Sequence, residues 1–234
     1  MITSPRPRGW TSSLQHVAGR PVLCWAGDRA WRSVSSGVLG GGLGTSRWVL
    51  NATVPTDFDD DEPAAYLARL AATVGLAPEA GVGLLTAVEV DTAAVTVARP
   101  GVTMSVTTGV GQHALWPAVE DAAVGERCRA GTVNAVAWLD RPAIPEALVN
   151  GVITVTEAKA QAFLEAGIDG TGTCTDSVTL LCPIAADGDD AHRDGGPTRY
   201  LGTRSPVGQA LAAATHAAVT TGLAQERAAS AATT

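Results

Sequence analysis

"151 GVITVTEAKAQAFLEAG 167" carries Lys159, the only lysine among the sixteen basic residues of this chain. Ala, Glu and Gln dominate the stretch, and apolar residues recur at three- and four-residue spacing, which predicts a helix. At 100° per residue, Leu148, Val152, Val155, Ala162, Phe163 and Ala166 gather on one face. Lys159 falls in the middle of that face, whereas Glu157 projects from nearly the opposite side, beside Gln161. An ammonium aimed at a core must snorkel along a neighbour such as Phe163, find a carboxylate, or line a cavity. Helical phase alone leaves these alternatives open.

Working outward, strand-like runs rich in Val and Thr surround this helix. "PVLCWA", "WRSVS" and "RWVLNATVP" lie between Pro21 and Pro55, broken by "GVLGGGLG". A first helix is expected after "DFDDDEP", with an aspartate capping its first turn, Pro63 at its first position and Tyr66, Leu67 and Leu70 facing inward. "GVGLLTAVEV", "AAVTVARP", "VTMSVTTGVG" and "AGTVNAVAWLD" form a strand-rich middle. After the Lys159 helix come a buried strand in "DSVTLLCPIA" and an Ala-rich helix from about Pro206 to Gln225. The order ββ(β)-α-ββββ-α-β-α predicts an α+β protein, a single domain with one mixed β-sheet packed by about three main helices. Residues 1–19 are expected as a loose N-terminal arm, 20–226 as the folded domain and 227–234 as a frayed tail.

The 234 residues are 46% hydrophobic, enough for one substantial core. A net charge of −7, a pI near 5.0 and the lack of any basic run argue against nucleic acid as a partner. No apolar run follows the N-terminal arginines and no stretch of about twenty apolar residues occurs, so the expectation is a soluble cytoplasmic protein without signal peptide or membrane span. Cys24, Cys128, Cys174 and Cys182 form no CxxC pair and are expected as free thiols.

"DFDDDE" opens like a calcium loop, but Glu62 stands where the loop needs glycine and Ala68 where it needs glutamate. Helix capping explains it better. His16, His113 and His216 show no ligand spacing, so no metal site is expected. Two turns look more chemical. "RAGTVNAV" places Gly131, Thr132 and Asn134 at a loop-to-strand junction. "GIDGTGTCTDSV" packs Gly170, Gly172, Thr173, Thr175, Asp176 and Ser177 before a buried strand, where glycine amides can form an anion-binding nest. Gly167 after the helix equally suits a plain helix-to-strand connection.

Taken in order, "VLGGGL", "WVLNATVP", "DEPAAYL", "GVGLLTAVEV", "VTTGVG", "AGTVNAV", "ALVNGVITVTEAKAQAFLEAGI", "GTGTCTDSVTLL" and "YLGTRSPVGQAL" resemble the adenosylcobinamide amidohydrolase family of corrinoid salvage. The resemblance runs from about Val34 to Gly222, and its signatures are TEAK and the GTGT-x-D-S turn. It implies that 20–226 is an amidohydrolase domain that cuts the amide between a corrin propionate and aminopropanol, releasing adenosylcobyric acid and 1-aminopropan-2-ol. The partner is then a small-molecule corrinoid, and no cofactor is needed beyond the substrate's own cobalt. Where this chain has Arg204, and Gln112–His113, the family often carries other residues. Asp190, His192 and Gly195 match DxHxxG, a pattern of cobalt-ligating corrinoid domains, but fewer than forty residues follow where such a domain needs over a hundred. That match is read as chance.

Amide hydrolysis needs an activated water or nucleophile, an oxyanion site and a proton for the amine. The chain has no GxSxG elbow or Cys–His pair. With the resemblance, Lys159 is read as a cavity-facing cation that stabilises the oxyanion together with Asn134. Asp176 is the preferred base, with Glu157 the alternative. Asn51, Gly131, Gly172, Thr173 and Ser177 are the expected substrate-binding residues. Two other functions compete: a non-catalytic corrinoid carrier or sensor, and a self-cleaving hydrolase in which Thr132, freed after Gly131, becomes the nucleophile.

Overall fold

The computed structural model describes residues 5–118, 131–185 and 196–233. Cys128 and the Asp190/His192/Gly195 motif lie outside the described residues. Eight strands form one mixed sheet: β1 Trp10–Val17, β2 Arg20–Ser35, β3 Gly42–Thr53, β4 Gly81–Thr86, β5 Ala94–Arg99, β6 Val102–Gly109, β7 Thr132–Leu139 and β8 Ser177–Cys182. Its order is β4-β3-β2-β8-β7-β6-β5, with β1 paired to β2. The pairs β3–β4 and β7–β8 are parallel and the rest antiparallel. The helices are α1 Pro63–Thr73, the one-turn α2 Val90–Ala93, α3 Pro145–Glu165 and α4 Pro206–Thr233. Apart from α2 and a strand at the N-terminus, this is the element order expected from the sequence, and the fold is α+β.

β7 is buried along its whole length because both its faces are covered. Val133, Ala135, Ala137 and Leu139 meet Leu148, Val155 and Phe163 of α3 and Leu211, Ala218 and Leu223 of α4 in one core. The alternate residues Val136 and Trp138 enter a second core with Trp10, Trp25, Trp31, Val49 and Leu84. In that core Trp10 of β1 stands edge-on to both Trp31 of β2 and Trp138 of β7. A third cluster seats α1 on β3 through Leu67, Leu70 and Leu50.

Four expectations need correction. Residues 10–17 are not a loose arm: "WTSSLQHV" pairs along its full length with β2 across a turn in which Ala18 (φ +50°) and Gly19 (φ +78°) are both left-handed, and buried Trp10 anchors it. "PVLCWA" and "WRSVS" are one strand with a register shift between Ala26 and Trp31, so the polar "GDR" marks a bulge, not a break. At α1, Glu62 occupies the cap position without a side-chain bond, and Asp60 instead accepts from the Glu62 N–H at 2.8 Å. The C-terminal helix runs past Gln225 because Glu226 accepts the N–H groups of Val110 (3.2 Å) and Gly111 (2.6 Å), while Arg227 donates to the Ala166 carbonyl at the end of α3.

Cys24 and Cys182 are buried free thiols, and burial pushes the Cys24 thiol up to about 11 and raises that of Cys182. Cys174 is disulfide-bonded, which departs from the expected free thiol. Among the described residues, no helix is long and apolar enough to cross a membrane.

Candidate active site

The opening lysine finds its place through the turn that follows its helix. α3 ends at Ala166 in a Schellman motif: Ile168 N–H reaches the Phe163 carbonyl (3.0 Å) and Gly167 (φ +69°) the Leu164 carbonyl (3.0 Å). The chain then returns through "DGTGTCTDS", strapped to Leu115 by two backbone hydrogen bonds. Asp176 closes this turn. Its carboxylate accepts from Thr173 N–H (3.1 Å), the Thr173 hydroxyl (2.6 Å), Val133 N–H (2.8 Å) and Lys159 Nζ. The anion held at the Gly-rich turn thus belongs to the protein, and its backbone donors are Thr173 and Val133, not the glycine amides expected to form a nest.

Lys159 is 8% exposed and lies over the Phe163 ring, 5.6 Å from its centroid. It does not snorkel to solvent. Lys159 and Asp176 line a cavity of about 200 Å³ between α3, α4 and the sheet, whose other walls include Val155, Val178 and Val219. Gly172 leaves room for the pair, because a Cβ there would meet Lys159 Nζ and the Asp176 carboxylate and make them shift.

A larger chamber, about 670 Å³, opens on the other side of Ser36 and Ser177, which line both spaces. Its floor carries Thr132, Asn134, Thr175 and Ser177, and its lip is the loop that joins β3 to α1, with Asp57, Phe58, Asp59 and Asp60. Thr132 Oγ1 is 2.5 Å from Thr175 Oγ1, and Thr175 donates to the Gly131 carbonyl at 2.9 Å. With the Thr175 proton on that carbonyl, the bond between the two hydroxyls is donated by Thr132. Asn134 is 2% exposed, and its Nδ2 donates to Asn51 Oδ1 (2.9 Å) and the Leu85 carbonyl (2.9 Å). Asn51 in turn donates to Thr107 at 3.1 Å. This chain of amides ties β3 and β4 to β6 and β7 under the chamber.

Several expected residues thus meet, though in other relations. Thr132, Asn134 and Ser177 face the chamber; Lys159 and Asp176 face the cavity behind it. Gly172 and Thr173 shape the turn around the ion pair. Gly131 packs on His113, where a Cβ would clash, and Asn51 supports Asn134 from below without lining the chamber. Glu157 is exposed and lines neither space. Asp176 has four donors on two oxygens, which leaves it poorly disposed to take a proton from water. Both amide hydrogens of Asn134 are spent, so it offers the chamber an acceptor and not an oxyanion donor. Arg204 is exposed and, like His113, does not line the chamber.

Sequence reasoning placed Thr175 in the Gly-rich turn without giving it a role, read Asp57–Asp60 as helix capping, and passed over Ser36. Thr175 had a local signal, a hydroxyl next to Asp176 in the same turn. Ser36 had none, because only the β2–β8 pairing brings it to Ser177 (3.2 Å). Among the described residues, no three His, Cys, Asp or Glu side chains cluster as a metal site would require.

A chamber of this size, floored by hydroxyls and one oriented amide in an α+β domain, has the dimensions of a small-molecule pocket. The family model described as adenosylcobinamide amidohydrolase matches residues 10–231, and the chain belongs to that family. It is 28% identical over 210 residues to the adenosylcobinamide amidohydrolase of Methanosarcina mazei, covering 90% of this chain and 98% of that protein. It is 34% identical over 205 residues to the adenosylcobinamide amidohydrolase of Halobacterium salinarum, covering 85% and 83%. A crystal structure of the PH0078 protein from Pyrococcus horikoshii OT3 spans 90% of this chain and 82% of its own at 10% identity and a TM-score of 0.44, too slight a likeness to support any reading.

Proposed function

We propose that the chamber floor is where this amidohydrolase of corrinoid salvage cuts adenosylcobinamide, with the aminopropanol arm lowered onto Thr132, Asn134, Thr175 and Ser177. Water adds to the amide carbonyl carbon, the C–N bond breaks and the nitrogen takes a proton, leaving adenosylcobyric acid and 1-aminopropan-2-ol. The observation that carries this reading is the convergence of side chains from β7 and the Gly-rich turn on one chamber. Asn134 Oδ1 accepts the amide N–H and so turns the carbonyl toward the threonine hydroxyls, where Thr132 swings its proton from Thr175 Oγ1 to the developing oxyanion.

Lys159 and Asp176 act as positioning residues. Their pair grips Val133, next to Thr132, and Thr173, on the turn of Thr175, so it fixes both hydroxyls without touching substrate. The substrate supplies the only cobalt involved, and neither nucleotide nor added metal is required; activity that survives a chelator supports this. Incubating the protein with adenosylcobinamide and reading product masses tests the whole reading. An unchanged corrinoid after prolonged incubation with folded protein rejects it, and binding without cleavage would favour a carrier or sensor.

The hydrogen bond from Thr175 to the Gly131 carbonyl favours a second reading in one respect, since it polarises the bond before Thr132. In that reading Thr132 is the nucleophile, freed by scission after Gly131. Two bands on a denaturing gel would support it, and one intact chain with full activity rejects it.

A further inference from the structure

Adenosylcobinamide is far larger than the ligands that a chamber of about 670 Å³ can enclose. With the aminopropanol arm on the floor, the corrin macrocycle is left at the mouth. Two apolar side chains stand there on separate loops. Val38 lines the chamber and is 53% exposed, and Phe58 lines it from the loop between β3 and α1.

A single exposed valine on a slack loop carries no information. The loop that carries Val38 has little slack. Ser36 N–H donates to the Val178 carbonyl (3.0 Å) and Gly37 N–H to Ser35 Oγ (2.9 Å). Leu39 packs against the cluster that seats α1, and its carbonyl accepts the Gly83 N–H at 3.0 Å. Gly40 follows in left-handed backbone (φ +69°), where a Cβ would fall on the Gly81 carbonyl. Val38 is thus held between fixed neighbours at the edge of the chamber. Phe58 is fixed as well. Its ring packs edge-on against Tyr66 of α1, with centroids 5.1 Å apart, and its N–H donates to the Pro55 carbonyl at 3.0 Å. Apolar side chains held in place beforehand lose little freedom when a ligand covers them, so the covered area converts into affinity.

A corrin offers a matching surface, because methyl groups line its rim between the amide arms. We propose that Val38 and Phe58 grip the methyl-bearing rim of the macrocycle, so that affinity for corrinoids resides at the mouth and cleavage at the floor. The proposal rests on the reading that the chamber receives the aminopropanol arm.

The test uses the full chain and two corrinoids. Adenosylcobyric acid keeps the macrocycle and has no aminopropanol amide left to cut, so its Kd is read at equilibrium from the corrin absorbance. KM is read for adenosylcobinamide. Val38→Ser should raise both constants about fivefold, and Val38→Ser/Phe58→Ser on the order of thirtyfold, with folding checked by denaturant unfolding. Val38→Ile keeps the apolar surface and should bind like the parent. Val149→Ser alters a valine of similar exposure (48%) on α3 that lines neither space, and should also bind like the parent. An unchanged Kd in the folded Val38→Ser variant, or an equal weakening in Val149→Ser, overturns the proposal. A higher KM for adenosylcobinamide with an unchanged Kd for adenosylcobyric acid also overturns it, since Val38 would then touch the arm instead. Binding of the acid that Val38→Ser weakens, in a parent that forms no product, would uphold the grip and reject the catalytic reading. A parent that binds neither corrinoid would bring down both.

Discussion

The chamber in front of the Gly-rich turn and the cavity behind it share Ser36 and Ser177 and otherwise differ in kind. In front, hydroxyls and an amide face open space under an acidic lip. Behind, a lysine and an aspartate sit largely out of solvent in a smaller cavity walled by valines, serines and threonines. The ionic pair conspicuous in the sequence thus lies behind the turn, and neutral groups form the floor in front of it. A buried ion pair repays its desolvation only with good geometry and further hydrogen bonds, and Asp176 supplies them. Such a pair specifies the shape of the turn, whereas the neutral floor leaves Asn134 Oδ1 without a donor among the described residues.

The largest expected effect comes from breaking the rear pair. Lys159→Met leaves the Asp176 carboxylate buried without its cation and should cost about 3–5 kcal/mol, read by denaturant unfolding. Adding Asp176→Asn should return much of that loss, because the amide oxygen still accepts from Val133 and Thr173 without carrying charge. If Lys159→Met alone melts like the parent, the rear cavity does not have the structural weight assigned to it. Turnover should fall as well, since both threonines lose their support.

Thr132→Val separates the two regions in the other direction. Valine keeps the branched shape in β7 and removes only the hydroxyl. The expected outcome is a loss of about two to three powers of ten in kcat, the usual loss for one oxyanion donor, with unfolding free energy within about 1 kcal/mol of the parent. An equal loss of stability and turnover would erase the distinction between a catalytic front and a structural rear.

Glu157→Gln is the smallest change. Its carboxylate is exposed and borders neither space. Stability should stay within about 0.5 kcal/mol, with unchanged kcat and KM. A marked loss of rate would mean that the helix surface contributes to the reaction by a route absent from both cavities.

Legibility followed the range of the interactions. The 3.6-residue pattern around Lys159 identified α3 and its buried face, and Val/Thr-rich runs identified β3 to β8, because both signals are local. β1 was not legible: "WTSSLQHV" is mostly polar, and only its long-range contact of Trp10 with Trp138 makes it a strand of the domain. In the site, Lys159, Thr132, Asn134 and Asp176 could be selected from motif and resemblance. Their relations could not. Which hydrogens of Asn134 are spent depends on Leu85 and Asn51, 49 and 83 residues away in the chain. The acidic lip was read as helix capping because its composition fits that role, and only the folded arrangement places it over the chamber.

The pairing of β2 with β8 has a consequence for how the chain comes into being. Arg32 lies opposite Cys182 and Ser35 opposite Thr179, partners separated by roughly 150 residues. At ribosomal speeds of about 5–20 residues per second, the N-terminal hairpin waits on the order of ten to thirty seconds for its neighbour. Until residue 138 is made Trp10, Trp25 and Trp31 lack Trp138, and until the end of the interval they lack Leu181. The nascent chain therefore carries an indole-rich surface that the finished protein never shows, and chaperone capture during synthesis would act on that surface.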